Sequence, residues 1–184
     1  KQEYQQRDMV DVIVSPQNLG FAKGNNLGYD FAVNNYAPDY VVVMNNDVIS
    51  SQPDFEQEII SYMAKSGADV CGPDIITPSG GHQNPLMLKP FSSIRIAKQM
   101  AIDFFRLICL RLGVWESRIL GTYSQVSQSY RRQEPAISAA SQCIIHGACV
   151  VYGRNFISQV PFAFVPVTFL YGEEMILFDY CQRR

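Results

Sequence analysis

The reading of the fold turns on Asn18-Leu-Gly-Phe-Ala-Lys-Gly-Asn-Asn-Leu-Gly28 and on Tyr40-Val-Val-Val-Met-Asn-Asn-Asp47, which follows it. Just upstream, Val10 to Ser15 (VDVIVS) is a short apolar run bounded by turn residues, the pattern of a buried strand. Ala22 to Asn35 sets Leu27, Phe31 and Ala32 at helical spacing, and Pro38 stops the helix. Tyr40 to Met44 is a second continuous apolar run, rich in β-branched residues. Strand, helix and strand in this order predict a βαβ unit with parallel strands buried on both faces.

Outward from this unit, Gln52-Pro53-Asp54 offers a capped start to a helix with Phe55, Ile59, Ile60 and Met63 on one face and Gly67 as its stop. Ala68 to Ile76 reads as a strand broken at Gly72-Pro73. Thr77 to Pro90, rich in Gly, Pro and Ser, reads as a surface loop. Ile94 to Leu112 is helical and basic on one side, and Thr122 to Pro135 is polar and reads as a mobile loop. Ser141 to Tyr152 reads as a strand pair or a strand bent at Gly147, and Glu173-Glu174 opens a last helix running to Arg184. The expected fold class is α/β. No repeat or dividing linker is present, so a single domain over 1–184 is expected, with a helical and loop insertion at about 85–135.

Composition narrows the function classes. The 184 residues are 47% hydrophobic and 17% charged, which is a globular composition. Fifteen Lys and Arg against 17 Asp and Glu give a formal charge of -2. Nucleic acid is therefore excluded as the main partner, because a phosphate backbone demands a basic face. The five cysteines are widely spaced with no C-x-x-C pair, and His82 and His146 lie far apart. Reduced buried thiols in a cytoplasmic protein are expected, rather than a structural zinc site. The polar opening KQEYQQRDMVD is no secretory signal. No run approaches the ~18 apolar residues of a membrane span.

Three segments could carry chemistry. Asn45-Asn46-Asp47 directly follows a strand, where α/β folds bind ligands. A carboxylate there can hold a hard divalent cation against a diphosphate, and the two amides can bond sugar or phosphate oxygens. Read alone, the tripeptide is as well explained by an Asx turn. The Asn18–Gly28 run joins strand to helix, and its glycines let backbone approach a ligand. It is neither G-x-G-x-x-G nor a phosphate-binding P-loop, and Gly20, Gly24 and Gly28 at four-residue spacing equally suit tight helix packing. Glu173-Glu174 suits a helix start, where the dipole favours carboxylates, and also suits a general base in a partly closed site. His146-Gly147-Ala148 is a weaker fourth element, since a lone histidine in an apolar strand is more often a core residue than a ligand.

Taken in order and spacing, N-x-G-x-x-x-G-N-N-x-G, then N-N-D-V, then G-A-C-V-V, then F-L-Y-G-E-E resembles family-2 glycosyltransferases, in their rhamnosyltransferase-like branch. The resemblance covers Val10 to about Thr77 and Ser141 to Arg184. It implies a GT-A fold with a mixed, mainly parallel sheet flanked by helices. It also implies a nucleoside-diphosphate donor linked to uridine or deoxythymidine, a saccharide or lipid-linked acceptor, and inverting transfer in cell-surface polysaccharide synthesis. Asp47 falls at the D-x-D-like metal position, implying Mn2+ or Mg2+ as cofactor. Glu173-Glu174 falls where the family has Glu-Asp, with Glu174 the base. Asn18, Gly20, Lys23, Gly24 and Asn25 match the donor pocket, Asn45 and Asn46 lie beside the metal position, and Gly147 and Ala148 match the strand facing donor sugar and acceptor. Two departures stand out. The chain begins after the family's first βα unit, which carries much of the nucleobase pocket, and Ile176 stands where an Asp often follows the acidic pair.

Two other readings remain open: a non-catalytic, nucleotide-sugar-binding or interaction domain, and a nucleotidyltransferase with a related sheet and metal site. The Glu pair opening the last helix fits glycosyl transfer better than nucleotidyl transfer. Arg95, Lys98, Arg106 and Arg111 among apolar residues raise a peripheral contact with the inner face of the cell membrane, set against simple packing of the apolar side on the sheet. A strand edge left open by the missing unit would favour a homo-oligomer.

Overall fold

Five consecutive residues, Cys149–Gly153 (β3), are buried and lie between two other strands, Tyr40–Met44 (β1) and Val70–Cys71 (β2), in a three-stranded sheet of order β1-β3-β2. The computed structural model describes residues 9–88, 92–111 and 143–184. Among these, the helices are Gly20–Tyr36 (α1), Phe55–Ser66 (α2), Ser93–Arg111 (α3), Arg154–Gln159 (α4) and Glu173–Gln182 (α5). The fold is therefore mixed α/β.

Both ladders are antiparallel. Tyr40 pairs with Gly153 and Met44 with Cys149, while Val70 pairs with Tyr152 and Cys71 with Val151. Strands β1 and β2 consequently run the same way, joined through α2, with β3 reversed between them. The expected mainly parallel sheet is not present among the described residues. Nor does Val10–Ser15 form the expected strand. Val10, Val12, Ile13 and Val14 are all exposed. The α1 residue Tyr36 donates its hydroxyl to the Asp11 carboxylate. The helical crossover of this protein is β1-α2-β2, one element later than expected.

The chain divides into two compact units. The first comprises Lys1–Pro73 and Ile145–Arg184, the second Asp74–Ile144. In the first unit the sheet carries helices on both faces. Val41 and Val43 of β1 and Val150 and Tyr152 of β3 pack with Ala22 and Tyr29 of α1, Phe156 of α4 and Leu177 of α5. On the opposite face Val151 packs with Ile59 and Met63 of α2. Alternation decides these assignments, since successive strand residues point to opposite faces. In β1 the second face is covered only at its start: Tyr40 packs against Ile59, Met63 and Val151 while Val42 and Met44 are exposed, so this strand is not buried on both sides as expected.

Helix ends follow local chemistry. Gly67 takes φ +69° and returns its N–H to the Met63 carbonyl at 2.9 Å, which closes α2. Asp54 stands at the start of α2 but makes no side-chain capping bond. Glu56 and Glu58 in its first turn suit the helix dipole instead. Ala37 ends α1 in the left-handed region just before Pro38.

In the second unit Thr77 to Gly81 forms a tight turn, and Ile76 bridges His82, whose Nδ1 lies 2.6 Å from the Asp74 carboxylate. Met87 bridges the fully buried Ile144. The expected insertion at about 85–135 falls within this unit. The expected mobile loop at Thr122–Pro135 lies outside the described residues.

Candidate functional site

The site is assembled from the end of β1, the turn before β3 and the start of α5, all in the first unit. Beyond Met44 the ladder gains one more bond, from the Asn45 N–H to the Ala148 carbonyl at 2.9 Å. The chain then turns, the Val48 N–H donating to the Asn45 carbonyl at 3.2 Å. Asn46 and Asp47 are exposed at the tip. A main-chain bond closes this turn, not the side-chain bond of an Asx turn.

Gly147 lies next to the anchoring Ala148. Its N–H donates to Oε1 of Glu174 at 3.3 Å. A Cβ at this position would stand 2.8 Å from that oxygen, so glycine is what lets the carboxylate reach the backbone. The Ala148 N–H donates to His146 Nδ1 at 3.1 Å, which gives the histidine a role in shaping the turn.

The two adjacent glutamates separate in environment. Glu173 is 3% exposed and accepts the Thr168 hydroxyl at 2.9 Å. Glu174 is half-buried and faces Gly147. Both follow Gly172, in the left-handed region at φ +89°, and Tyr171 at +72°. Adjacent helical residues point about 100° apart, so one carboxylate reaches Gly147 while the other is directed at the loop.

The start of α1 is tied to the same loop. Gly20 has φ +78°, and a Cβ there would stand 2.2 Å from the Phe169 carbonyl oxygen. That carbonyl accepts the Phe21 N–H at 2.8 Å, while Asn18 Oδ1 accepts the Gly20 N–H at 2.9 Å. Gly24 and Gly28, by contrast, have nothing within 4 Å of the added Cβ. Close packing at four-residue spacing therefore explains Gly20 alone. Lys23 is exposed, and Asn25 is held within the helix by a 2.9 Å bond to the Phe21 carbonyl.

Of the residues singled out from sequence, Asn45, Gly147, Ala148 and Glu174 thus form one hydrogen-bonded path. Asn18, Gly20 and Glu173 join it through the loop at 168–172. Lys23, Gly24 and Asn25 lie on the first turns of α1 without bonding to that path.

Two residues that hold the arrangement were not singled out. Asn26 donates to the Phe164 carbonyl at 2.7 Å and accepts the Ala163 and Phe164 N–H groups at 3.0 and 2.9 Å. Thr168 fixes Glu173. Asn26 stands inside the same Gly-Asn-Asn run as the selected residues, and that was its one available signal.

Among the described residues no group of three or more His, Cys, Asp or Glu side chains could hold a metal ion. Asp47 is an exposed carboxylate outside any such group, so protein side chains alone do not build a cation site there. The five cysteines are all free. Burial pushes the Cys149 thiol up to about 11, with Cys71 adding to the effect, and a thiol so shifted is a poor nucleophile. No helix of the described residues is long and apolar enough to cross a membrane. No protein-family model matches this chain, no curated protein matches it, and no solved structure matches it.

Proposed function

We propose that the chain is the catalytic part of a family-2-like glycosyltransferase with a GT-A fold, moving a sugar with inversion from a nucleoside-diphosphate donor to a saccharide or lipid-linked acceptor. One observation carries the reading. The Glu174 carboxylate is held by the Gly147 N–H, one residue from the carbonyl that anchors Asn45. Residues assigned separately to base, sugar-facing strand and metal loop are consecutive along a single path. In the same reading, β1 and β2 with reversed β3 belong to a larger mixed sheet.

Each residue then has a task. Glu174 takes the proton of an acceptor hydroxyl as its oxygen attacks the anomeric carbon. The new C–O bond forms as the bond to the diphosphate breaks, and the diphosphate leaves with the electron pair. Asn45 and Asn46 offer amides to donor oxygens, and Lys23 and the open backbone at Gly24 line the phosphate side. Asp47 would be the protein ligand of Mn2+ or Mg2+, which would supply positive charge to balance the diphosphate. Glu173, the other carboxylate of the catalytic pair, is tied to the same loop through the Thr168 hydroxyl. In this reading the protein works in the cytoplasm.

Calorimetric titration of the full chain with uridine and deoxythymidine diphosphates tests the donor site. Heat should appear only with Mn2+ present, vanish in Asp47→Ala, and be absent for Mn2+ alone. Silence from both nucleotides in the presence of metal would overturn the assignment. Glu174→Gln should keep nucleotide binding while sugar transfer falls by about 10²–10⁴. Normal turnover in that variant would remove Glu174 as the base.

A further inference from the structure

The nineteen residues of α3 concentrate charge and apolar surface in an unusual way. Arg95, Lys98, Arg106 and Arg111 are set against the single carboxylate of Asp103, in a chain whose overall charge is -2. Arg95, Gln99, Asp103 and Arg106 recur at spacings of four, four and three, so they form one polar stripe along the helix. The stripe is internally bonded. The Gln99 amide donates to Asp103 at 3.0 Å and the Arg106 guanidinium at 3.2 Å. Ile94, Phe104, Phe105 and Ile108 lie opposite it, flanked by Met100 and Leu107.

This apolar face is open. Ile94 is 83% exposed, Met100 67% and Phe104 66%, with Phe105 and Leu107 close behind. Side chains of this size normally gain stability by leaving water, and contiguous exposed patches of them mark interaction surfaces. The local charge selects the partner. A second copy of α3 would bring the same cationic excess against itself. An anionic lipid surface complements it, with headgroups meeting Lys98 and Arg111 and acyl chains meeting the apolar face. Lys98 and Arg111 lie at the margins of that face, where long aliphatic stems can follow apolar surface while their charged ends reach the headgroups. With five charged residues in its length, the helix lies on a bilayer and does not cross it.

We infer that α3 docks in the plane of an anionic membrane surface, burying Ile94, Phe104, Phe105 and Ile108 among the acyl chains. This surface is independent of the glycosyltransferase reading and would stand if that reading failed.

Cosedimentation of the full chain with vesicles tests it. The protein should pellet with equimolar phosphatidylcholine and phosphatidylglycerol, stay in solution with phosphatidylcholine alone, and be released by high salt. Phe104→Ser with Phe105→Ser should lower the partition coefficient at least about tenfold. Lys98→Gln should lower it about fivefold. All three substituted side chains face solvent, so circular dichroism and melting temperature should not change. Failure to pellet with the anionic vesicles, or undiminished pelleting of the double phenylalanine variant, would overturn the inference. So would a concentration-dependent dimer abolished by the same double variant in the absence of any vesicle binding, which would assign the face to a second copy.

Discussion

Val10–Val14 and Cys149–Gly153 are runs of the same kind, short and rich in β-branched residues, yet they finish in opposite surroundings. The second is the central strand, laddered on both edges and covered on both faces. The first is exposed through Val10, Val12, Ile13 and Val14 and joins no strand among the described residues. A β-branched apolar run thus nominates a strand without making one. Its N–H and C=O groups need neighbours at ladder distance and its side chains need a covering layer, and only β3 has both.

The contrast breaks most visibly at Tyr152. Its ring packs against Tyr29, Phe156 and Phe164, and its hydroxyl donates to the Ala163 carbonyl at 2.8 Å. Tyr152→Ala should cost about 3–5 kcal/mol in chemical denaturation. A loss below about 1 kcal/mol would mean that β3 is not the centre of the core.

The next effect is an alkaline one. Burial raises the Tyr29 hydroxyl from 10.0 to about 12 and the Cys149 thiol from 9.0 to about 11. Both groups are acids with folded values above their unfolded ones. Their stabilising contribution is complete below about pH 9 and is lost as pH rises through 11 and 12. Each group should contribute a loss on the order of 2–3 kcal/mol. Urea midpoints measured across that window should fall, and a flat profile would contradict the burial of both groups.

Asn26→Ala should cost about 1–3 kcal/mol, because it strips partners from two main-chain N–H groups and a carbonyl beside Tyr152. The same measurement on an Asn26→Asp variant sharpens the point, since a carboxylate keeps the two acceptor bonds and should lose less. At the bottom of the scale, Ile13→Ser should change stability by no more than about 0.5 kcal/mol. A loss comparable with that of Tyr152→Ala would show Val10–Val14 packed after all.

What was legible in the sequence was what local chemistry decides. Gly67 ended α2 and Pro38 closed off α1, because a left-handed residue and a missing N–H act within a turn of where they stand. The order of the sheet was not legible. β3 comes from near the carboxyl end of the chain and inserts between β1 and β2, a pairing that no window of sequence spans. In the candidate site, Asn45, Gly147, Ala148 and Glu174 could be nominated by motif order. The choice between Glu173 and Glu174 could be made only by resemblance, and the structure separates them by helix geometry. Asn26 and Thr168 escaped notice because their partners are a distant backbone and a buried carboxylate, neither of which leaves a pattern around them.

Gly147 and Ala148 work as a yoke. The N–H of one grips Glu174, and the carbonyl of the other grips Asn45. Because these anchor points are neighbours in the chain and Met44 is already in register with Cys149, the two gripped segments cannot drift apart without breaking one of the two bonds. Under the proposed chemistry, the alignment of base and donor would be inherited from the stiffness of the sheet, with no need for a closing loop to create it anew in each turnover.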